Sequence, residues 1–407
     1  MELCETSVSR RAVLGASGAL FAWAFMPRLA FAAGGRDARF VCIVLRGAMD
    51  GLACVAPVGD PAYAGLHGDL ALSLEGEIPA LPLDGFFALH PAMPNFARLY
   101  KAGQASVVHA AATGYRDRSH FDGQDVLESG QPAPGRTETG WLNRFLAGLP
   151  AGERIAATGA LGVGSVPPLV VRGAAPVLGW SPAVLPPAGE DLAERLAALY
   201  AERDPALHRT LLEGLKTEGL VSMNGPAIKR QGGPADPKGM NQTARGAARL
   251  LARDDGPRIA GLAFEGWDTH ANEGGVKGQL ANRLRGLDDA IGVFAETLGP
   301  KWRDTAVMVV TEFGRTARIN GTRGTDHGTG TVVLLAGGAI RGGRVIADWP
   351  GLADAALLEG RDLRPTTDVR AVAKGLLADL FGAPAAFLAR EVFPETGTLA
   401  PLKDLVA

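Results

Sequence analysis

Short apolar, β-branched runs recur along the chain, and polar clusters rich in Asp, His and Arg follow most of them. The runs are Arg39–Leu45, Ala105–His109, Leu169–Val171, Ile259–Phe264, Ala306–Val310 and Val332–Ala336. They are continuously apolar rather than alternating, the pattern of strands covered on both faces. Helical patterns lie between them. In Gln279–Leu298 the residues Leu280, Leu284, Leu287, Ile291, Phe294 and Leu298 form one stripe at spacings of three and four. Leu192–Leu199 and Asp368–Phe381 also read as helices, the second with Thr367 or Asp368 as N-cap and Gly382 just past its end. Strands alternating with helices predict an α/β fold with a mostly parallel sheet flanked by helices. Val221–Gly239, rich in Gly, Pro, Asn and Lys, reads as an irregular loop or hinge. No internal repeat is visible. The reading is one large domain over residues 33–407, with irregular insertions near 50–100 and 150–240 placed to cap a site.

Residues 1–32 read as an address rather than structure. Ser9-Arg10-Arg11 precedes the apolar run Ala12–Met26, and Ala30-Phe31-Ala32 is a small-residue cleavage pattern. The paired arginines and the Ala/Gly-rich run resemble a twin-arginine signal, so the expected location is the periplasm, reached through the twin-arginine machinery. The run is shorter than the ~20 residues of a spanning helix, and no other segment is long and apolar enough to cross a bilayer. Of three cysteines, Cys4 leaves with the signal. Cys42 lies inside an apolar run and reads as a buried thiol rather than half of a disulfide.

Composition excludes one class of partner. Lys+Arg 41 against Asp+Glu 43 leaves a net charge of −2, and aromatics are 6%. Nucleic-acid binders carry a basic excess or stacking aromatics, so neither DNA nor RNA is expected as partner.

The polar clusters are informative through their position. Arg39–Leu45 leads to Gly47-Ala48-Met49-Asp50-Gly51, and Ala105–His109 leads to Tyr115-Arg116-Asp117-Arg118-Ser119-His120-Phe121-Asp122. Ile259–Phe264 leads to Trp267-Asp268-Thr269-His270, and Ala306–Val310 leads to Glu312-Phe313-Gly314-Arg315. Thr325-Asp326-His327-Gly328 lies just before Val332–Ala336. Ligands of open parallel sheets bind beyond the carboxyl ends of strands, so the first four clusters are expected along one edge, with the last folded over it. Three of the seven histidines, His120, His270 and His327, lie within two residues of an Asp. Imidazole and carboxylate groups delivered by several loops suit a divalent metal, Zn, Mn, Mg or Ca. Ser119 reads either as a nucleophile activated by a base or metal, or as the N-cap of a helix running to Leu127. Arg116, Arg118, Arg315 and Arg318 are candidates for holding an anion or for pairing with surface acids. His109, inside a strand, reads as a satisfied core residue, and His67, His90 and His208 as loop residues. Trp267 is expected to pack beneath the Asp268 loop. Gly337-Gly338 and Gly342-Gly343 read as turn glycines around a hairpin.

Taken in order, the signal, Arg46-Gly47-Ala48-Met49-Asp50-Gly51, Arg118-Ser119-His120-Phe121-Asp122, Trp267-Asp268-Thr269-His270, Thr311-Glu312-Phe313-Gly314-Arg315-Thr316 and Thr325-Asp326-His327-Gly328 resemble the bacterial exported family called "domain of unknown function 1501" over nearly all of the mature chain. That family is similar to the alkaline phosphatase and sulfatase superfamily. The resemblance implies a doubly wound α/β sheet, two metals, a Ser/Thr-type nucleophile, and hydrolysis or transfer of a phosphoryl or sulfuryl group on an anionic small-molecule or cell-envelope substrate. It implies metal ligation by Asp50, Asp268, His270, Glu312, Asp326 and His327. It also implies Ser119 as nucleophile, with His120, Arg118 and Arg315 assisting. Two departures stand out. The Asp268/His270 pair is spaced by one residue where the superfamily has three, and Glu312-Phe313 stands where the superfamily has Asp-His. Ser119 lacks a Cys/Ser-x-Pro-x-Arg context, which argues against a formylglycine. The alternative reading is a non-catalytic envelope-binding or scaffold protein on the same fold, and a third keeps the metal as a structural ion.

Overall fold

A computed structural model describes residues 36–149, 159–182, 190–223 and 236–407. The expected signal, residues 1–32, lies outside the described residues. The main sheet is organised around β1 (Arg39–Arg46), which is buried along its length up to Leu45. Its side chains alternate: Val41, Ile43 and Leu45 enter the core on one face, and Phe40, Cys42 and Val44 the core on the other. Both faces of this strand are therefore apolar, which is why its sequence shows no polar alternation.

The other strands of this sheet are β2 (Ala105–Ala112), β3 (Ala160–Val163), β4 (Val177–Trp180), β5 (Ile259–Glu265), β6 (Thr305–Thr311), β7 (Thr331–Ala336), β8 (Arg344–Ile346) and β9 (Thr367–Asp368). Among the described residues they lie in the order β8-β2-β7-β6-β1-β5-β3-β4, with β9 paired to β2. β1 is parallel to β5 and β6, whereas β7 is antiparallel to both β6 and β2. The ends of β1, β2, β5 and β6 and the start of β7 thus share one edge of the sheet. On β2 a register shift opposite Thr331–Val333, with Ala110 at φ 52°, bends the strand at that same edge.

The helices that matter below are α1 (Gly51–Cys54), α2 (Pro94–Lys101), α3 (His120–Ser129), α4 (Trp141–Ala147), α5 (Glu190–Arg203), α6 (Pro205–Met223), α7 (Pro237–Leu251), α8 (Gln279–Leu298) and α9 (Val369–Phe381). Phe96 of α2, Met240 and Leu250 of α7 and the Leu280–Leu298 stripe of α8 pack on one face of the sheet. Leu127 of α3, Phe145 of α4 and Leu376 of α9 pack on the other. The sheet is thus mostly parallel and covered by helices on both faces. The α8 limits and the α9 caps, Asp368 and the left-handed Gly382, agree with the spacing and capping signals.

Four expectations change. Leu169–Val171 is a 3₁₀ turn, not a strand. Pro167 and Pro168 precede it with no N–H to give a ladder, and Val170 N–H donates to Glu128 Oε2 at 3.1 Å instead. The strands of this region are the short β3 and β4. Val221–Gly239 is not wholly irregular: α6 continues to Met223 and α7 starts at Pro237 with Asp236 as its cap. Residues 224–235 lie outside the described residues. Gly337-Gly338 and Gly342-Gly343 do not frame a hairpin, because β2 lies between β7 and β8. His67 and His208 lie in helices rather than loops, His67 at the end of the short helix Tyr63–His67 and His208 in α6, whereas His90 is the loop residue expected; His67 and His90 are fully buried. His109 is the satisfied core histidine expected, its Nε2 donating to Val55 O at 2.9 Å and its Nδ1 accepting from Ala110 N at 2.8 Å. Cys42 and Cys54 are buried free thiols, and burial pushes both above the ordinary thiol range. No helix among the described residues is long and apolar enough to cross a membrane.

Candidate metal centre

The loops at the shared edge interlock through backbone contacts. Gly47, with φ +118°, follows β1, and a Cβ there would stand 2.6 Å from Asp268 N. Only glycine lets the β1 and β5 loops approach this closely. Trp267 N–H donates to Arg46 O at 3.1 Å, and its side chain is fully buried beneath the Asp268 loop. Residues 314–316 and 326–328 bond to each other, through Thr316 N to Asp326 O at 2.9 Å and Gly328 N to Gly314 O at 2.8 Å. That pairing delivers His327 to the same place.

His120, Asp268 and His327 offer ligand atoms that all lie within 4.8 Å of one another. His120 Nδ1 is 2.8 Å from Glu312 Oε1, and a carboxylate oxygen only accepts, so Nδ1 carries the proton. Nε2, the nitrogen left to carry the lone pair when the ring is neutral, is buried, unpartnered and 3.4 Å from Asp268 Oδ2. His327 Nδ1 donates to Arg118 O at 2.9 Å, leaving its Nε2 lone pair 3.4 Å from Asp268 Oδ1. His270 completes the group, its Nε2 lying 2.9 Å from His327 Nε2 and 3.1 Å from Asp268 Oδ1. A carboxylate or carbonyl that fixes one ring nitrogen and aims the other is how protein histidines are held for a metal. The donor set of imidazoles and one carboxylate, with a buried lone pair lacking any donor, fits a divalent cation of the Zn or Mn kind better than Ca or Mg.

Charge organises the same atoms. The Glu312 hydrogen bond and the Glu312 and Asp268 charges, outweighing burial, raise the His120 imidazolium. Burial, then the charges of His120 and Arg315, lower His327. Burial favours the neutral acid at Asp268, but the Arg315 hydrogen bond and charge hold it below the usual carboxylate range. The outcome is an ionised Asp268 between two rings driven in opposite directions.

Several expected residues have other partners. Glu312 is not free to ligate. Its Oε1 accepts from Gly47 N (2.8 Å), His120 Nδ1 (2.8 Å) and Gln124 Nε2 (3.0 Å), and its Oε2 accepts from Thr311 Oγ1 (2.9 Å). Burial raises its carboxyl, yet those donors hold it below the ordinary value. Arg315 is not an anion clamp. It is buried and donates to the carbonyls of Ala48, Thr325, Gly47 and Trp267 and to Asp268 Oδ1 at 2.5 Å. It ties three loops together and aims Asp268. The Arg118 guanidinium faces Asp362 and Glu359, so Arg118 serves the centre through its carbonyl. Asp326 stands outside the ligand group, 3.4 Å from His270 Nδ1. Asp50 lies apart from it, in a buried cluster with His67 and Glu273. Ser119 occupies the N-cap position of α3, but its hydroxyl caps nothing and bonds to the Tyr115 phenol. Phe121, next to His120, is 88% exposed.

The positioning role of Glu312 and the Asp50–His67–Glu273 cluster are not legible in the sequence, since neither shows a local spacing. A cleft of about 360 Å³ has Leu66, Thr316, Arg318, Asn320, Asp326 and Arg361 among its walls, and Asp326, next to His327 in sequence, is its nearest link to the centre.

The family described as "Protein of unknown function (DUF1501)" matches residues 37–384. The chain belongs to the DUF1501 family. No curated protein matches it. Among solved structures, this DUF1501 chain is similar to Ps i-CgsB in complex with k-i-k-neocarrahexaose, at 13% identity and a TM-score of 0.44, covering 89% of this chain and 74% of that one. It is similar to a protein in the alkaline phosphatase superfamily from Vibrio parahaemolyticus, at 13% identity and a TM-score of 0.38, over 89% and 71% of the two chains. A third is the phosphonate monoester hydrolase of Agrobacterium radiobacter, at 13% identity and a TM-score of 0.37, over 85% and 78%. These likenesses concern the path of the chain, and none assigns it an activity.

Proposed function

We propose that this chain is an exported metal-dependent hydrolase of phosphate or sulfate esters. The observation that carries the reading is the convergence of the His120 and His327 Nε2 lone pairs on the Asp268 carboxylate, each ring fixed from behind by Glu312 or the Arg118 carbonyl. His120, His270, His327 and Asp268 would hold the metal. A metal bound there supplies charge to offset the non-bridging oxygens of the ester and to lower the pKa of a nearby hydroxyl or water. Ser119, which adjoins His120 in sequence and is not engaged as a helix cap, is the proposed nucleophile. Arg318 on the cleft wall, rather than Arg118 and Arg315, orients the anionic group. The exposed ring of Phe121 offers apolar surface to the organic part of the ester.

Export rests on the Arg10-Arg11 motif, the Ala12–Met26 run and the Ala30–Ala32 pattern, with the periplasm as destination. Fractionation of cells carrying Arg10→Lys/Arg11→Lys tests it, with retention of the precursor in the cytoplasm expected and normal export the contrary result.

For the activity, the protein is expressed in metal-supplemented medium and assayed on phosphate, phosphonate and sulfate esters beside Asp268→Ala. Turnover lost with the variant and on chelation is expected. One observation favours a non-catalytic envelope-binding protein instead: the guanidinium groups of Arg118 and Arg315 are both committed within the fold. Metal bound with no turnover on any ester would select that reading.

A further inference from the structure

We propose that Asp362 is a positioning residue which, acting through the Arg118 guanidinium, fixes the tautomer and the aim of His327, a role that rests on the hydrolase reading for its metal. Arg118 has φ 59°, in the left-handed region where a side chain is strained and glycine is not. A residue keeps such a conformation only where its surroundings hold it there. Here they are a carboxylate grip. Arg118 Nε and one terminal nitrogen donate to Asp362 Oδ2 at 3.0 and 2.8 Å, and the same terminal nitrogen donates to Glu359 Oε2 at 2.7 Å. Asp362 is fully buried, and Thr329 Oγ1 also donates to its Oδ2, at 2.8 Å. Its Oδ1 lies 2.9 Å from Arg361 Nε. With the guanidinium anchored, the Arg118 carbonyl points at His327 Nδ1, 2.9 Å away.

The neighbours of Asp362 grip the same histidine. Arg361 donates from its guanidinium to the His327 carbonyl. Arg361 O accepts from Ala317 N at 2.9 Å, and Leu363 O accepts from Gly330 N at 3.0 Å. Residues 361–363 thus hold His327 by its own carbonyl, by the paired segment at Ala317, by Gly330 after it and, through Arg118, from behind the ring. The ring needs that last contact for a chemical reason. A neutral imidazole carries its proton on either nitrogen. His327 Nε2 lies 3.4 Å from Asp268 Oδ1, a carboxylate oxygen that would accept the proton and leave no lone pair for a metal. The Arg118 carbonyl, which only accepts, draws the proton to Nδ1 and keeps Nε2 open. Releasing the guanidinium frees the strained Arg118 backbone to relax, and the carbonyl turns away.

The test compares Asp362→Asn and Arg118→Gly with the unaltered mature chain. Glycine takes the left-handed turn without strain and removes the grip, so this variant should fold even where a change at the buried Asp362 does not. Two quantities are measured: Zn²⁺ affinity by competition with a chromogenic chelator, and the His327 tautomer of the metal-free protein by long-range proton–nitrogen NMR at about pH 8.5, above the ordinary imidazole range. The unaltered chain should carry the proton on Nδ1. Both variants should move it toward Nε2 and bind Zn²⁺ about 10–100-fold more weakly. Arg118→Lys, which keeps the charge but not the fork, should fall between. A folded variant that retains either the Nδ1 proton or the full affinity overturns the role and leaves Asp362 a loop staple, and so does an unaltered chain with the proton on Nε2. An unaltered chain that binds no Zn²⁺ counts against the hydrolase reading, and the tautomer then upholds or overturns the role of Asp362 by itself.

Discussion

Replacing Glu312 by Gln isolates the part of the centre that aims rather than binds. The amide keeps the size of the carboxylate, and its oxygen can still accept from His120 Nδ1, Gly47 N and Gln124 Nε2, which now lie 2.8, 2.8 and 3.0 Å from Oε1. The Thr311 hydroxyl, 2.9 Å from Oε2, can reverse and accept from the new NH₂. The fold should survive. What is lost is the charge that makes His120 a stronger base. Removing such an orienting carboxylate weakens metal affinity by about 10–100-fold, or roughly 1.4–2.7 kcal/mol. The assay is competition for Zn²⁺ against a chromogenic chelator at fixed pH, with an imidazole NMR titration of the metal-free protein beside it. In the variant His120 should titrate lower than in the unaltered protein, as the Glu312 bond and charge are what raise it. Unchanged affinity with an intact fold would refute the positioning role. A loss as complete as that of His120→Ala would show that Glu312 is itself a ligand.

Other expectations follow from the same contacts. Arg315→Met leaves Asp268 and four loop carbonyls without their buried donor, and urea unfolding should show a loss of about 3–5 kcal/mol. Ser119→Ala should leave stability within about 0.5 kcal/mol, because the hydroxyl caps nothing; ester turnover in the proposed hydrolase should fall at least ~100-fold at unchanged metal content, and equal turnover would remove Ser119 from the mechanism. His90 and His109 are held neutral by burial, each lowered from 6.5 to about 4. Between those values the unfolded chain binds more protons than the folded one. Their contribution is complete above pH 6.5 and is lost as pH falls toward 4, at about 3 kcal/mol each. Melting curves across that range should fall with acid, less steeply in His109→Gln, and a flat profile would contradict the reasoning.

The strands buried on both faces, the α8 stripe and the α9 caps were readable because each rests on local periodicity or capping. So was the placement of polar clusters at one sheet edge, which follows from parallel strand direction. The partners within that edge were not. Whether Glu312 grips a metal or an imidazole depends on Gln124 and Gly47, distant in sequence. The Arg315 and Arg118 side chains look like anion binders in a linear reading, and only the folded loops show them committed to carbonyls and acids. Leu169–Val171 failed as a strand because the two prolines before it outweigh its β-branched character.

The antiparallel β7 has a consequence for how the molecule holds together. It is the only hydrogen-bonded link, among the described residues, between the ladder that carries β2 and the ladder that carries β6, β1 and β5. His120 stands on one side of that seam, Asp268 and His270 on the other, and His327 on the loop that enters β7 itself. An ion gripped by all of them would act as a rivet across the joint. It could be captured only after the chain through β7, about four-fifths of the polypeptide, had been synthesised and β7 had joined the two ladders. Resistance to pulling or to slow unfolding should then depend on the metal far more than the ordinary melting temperature does.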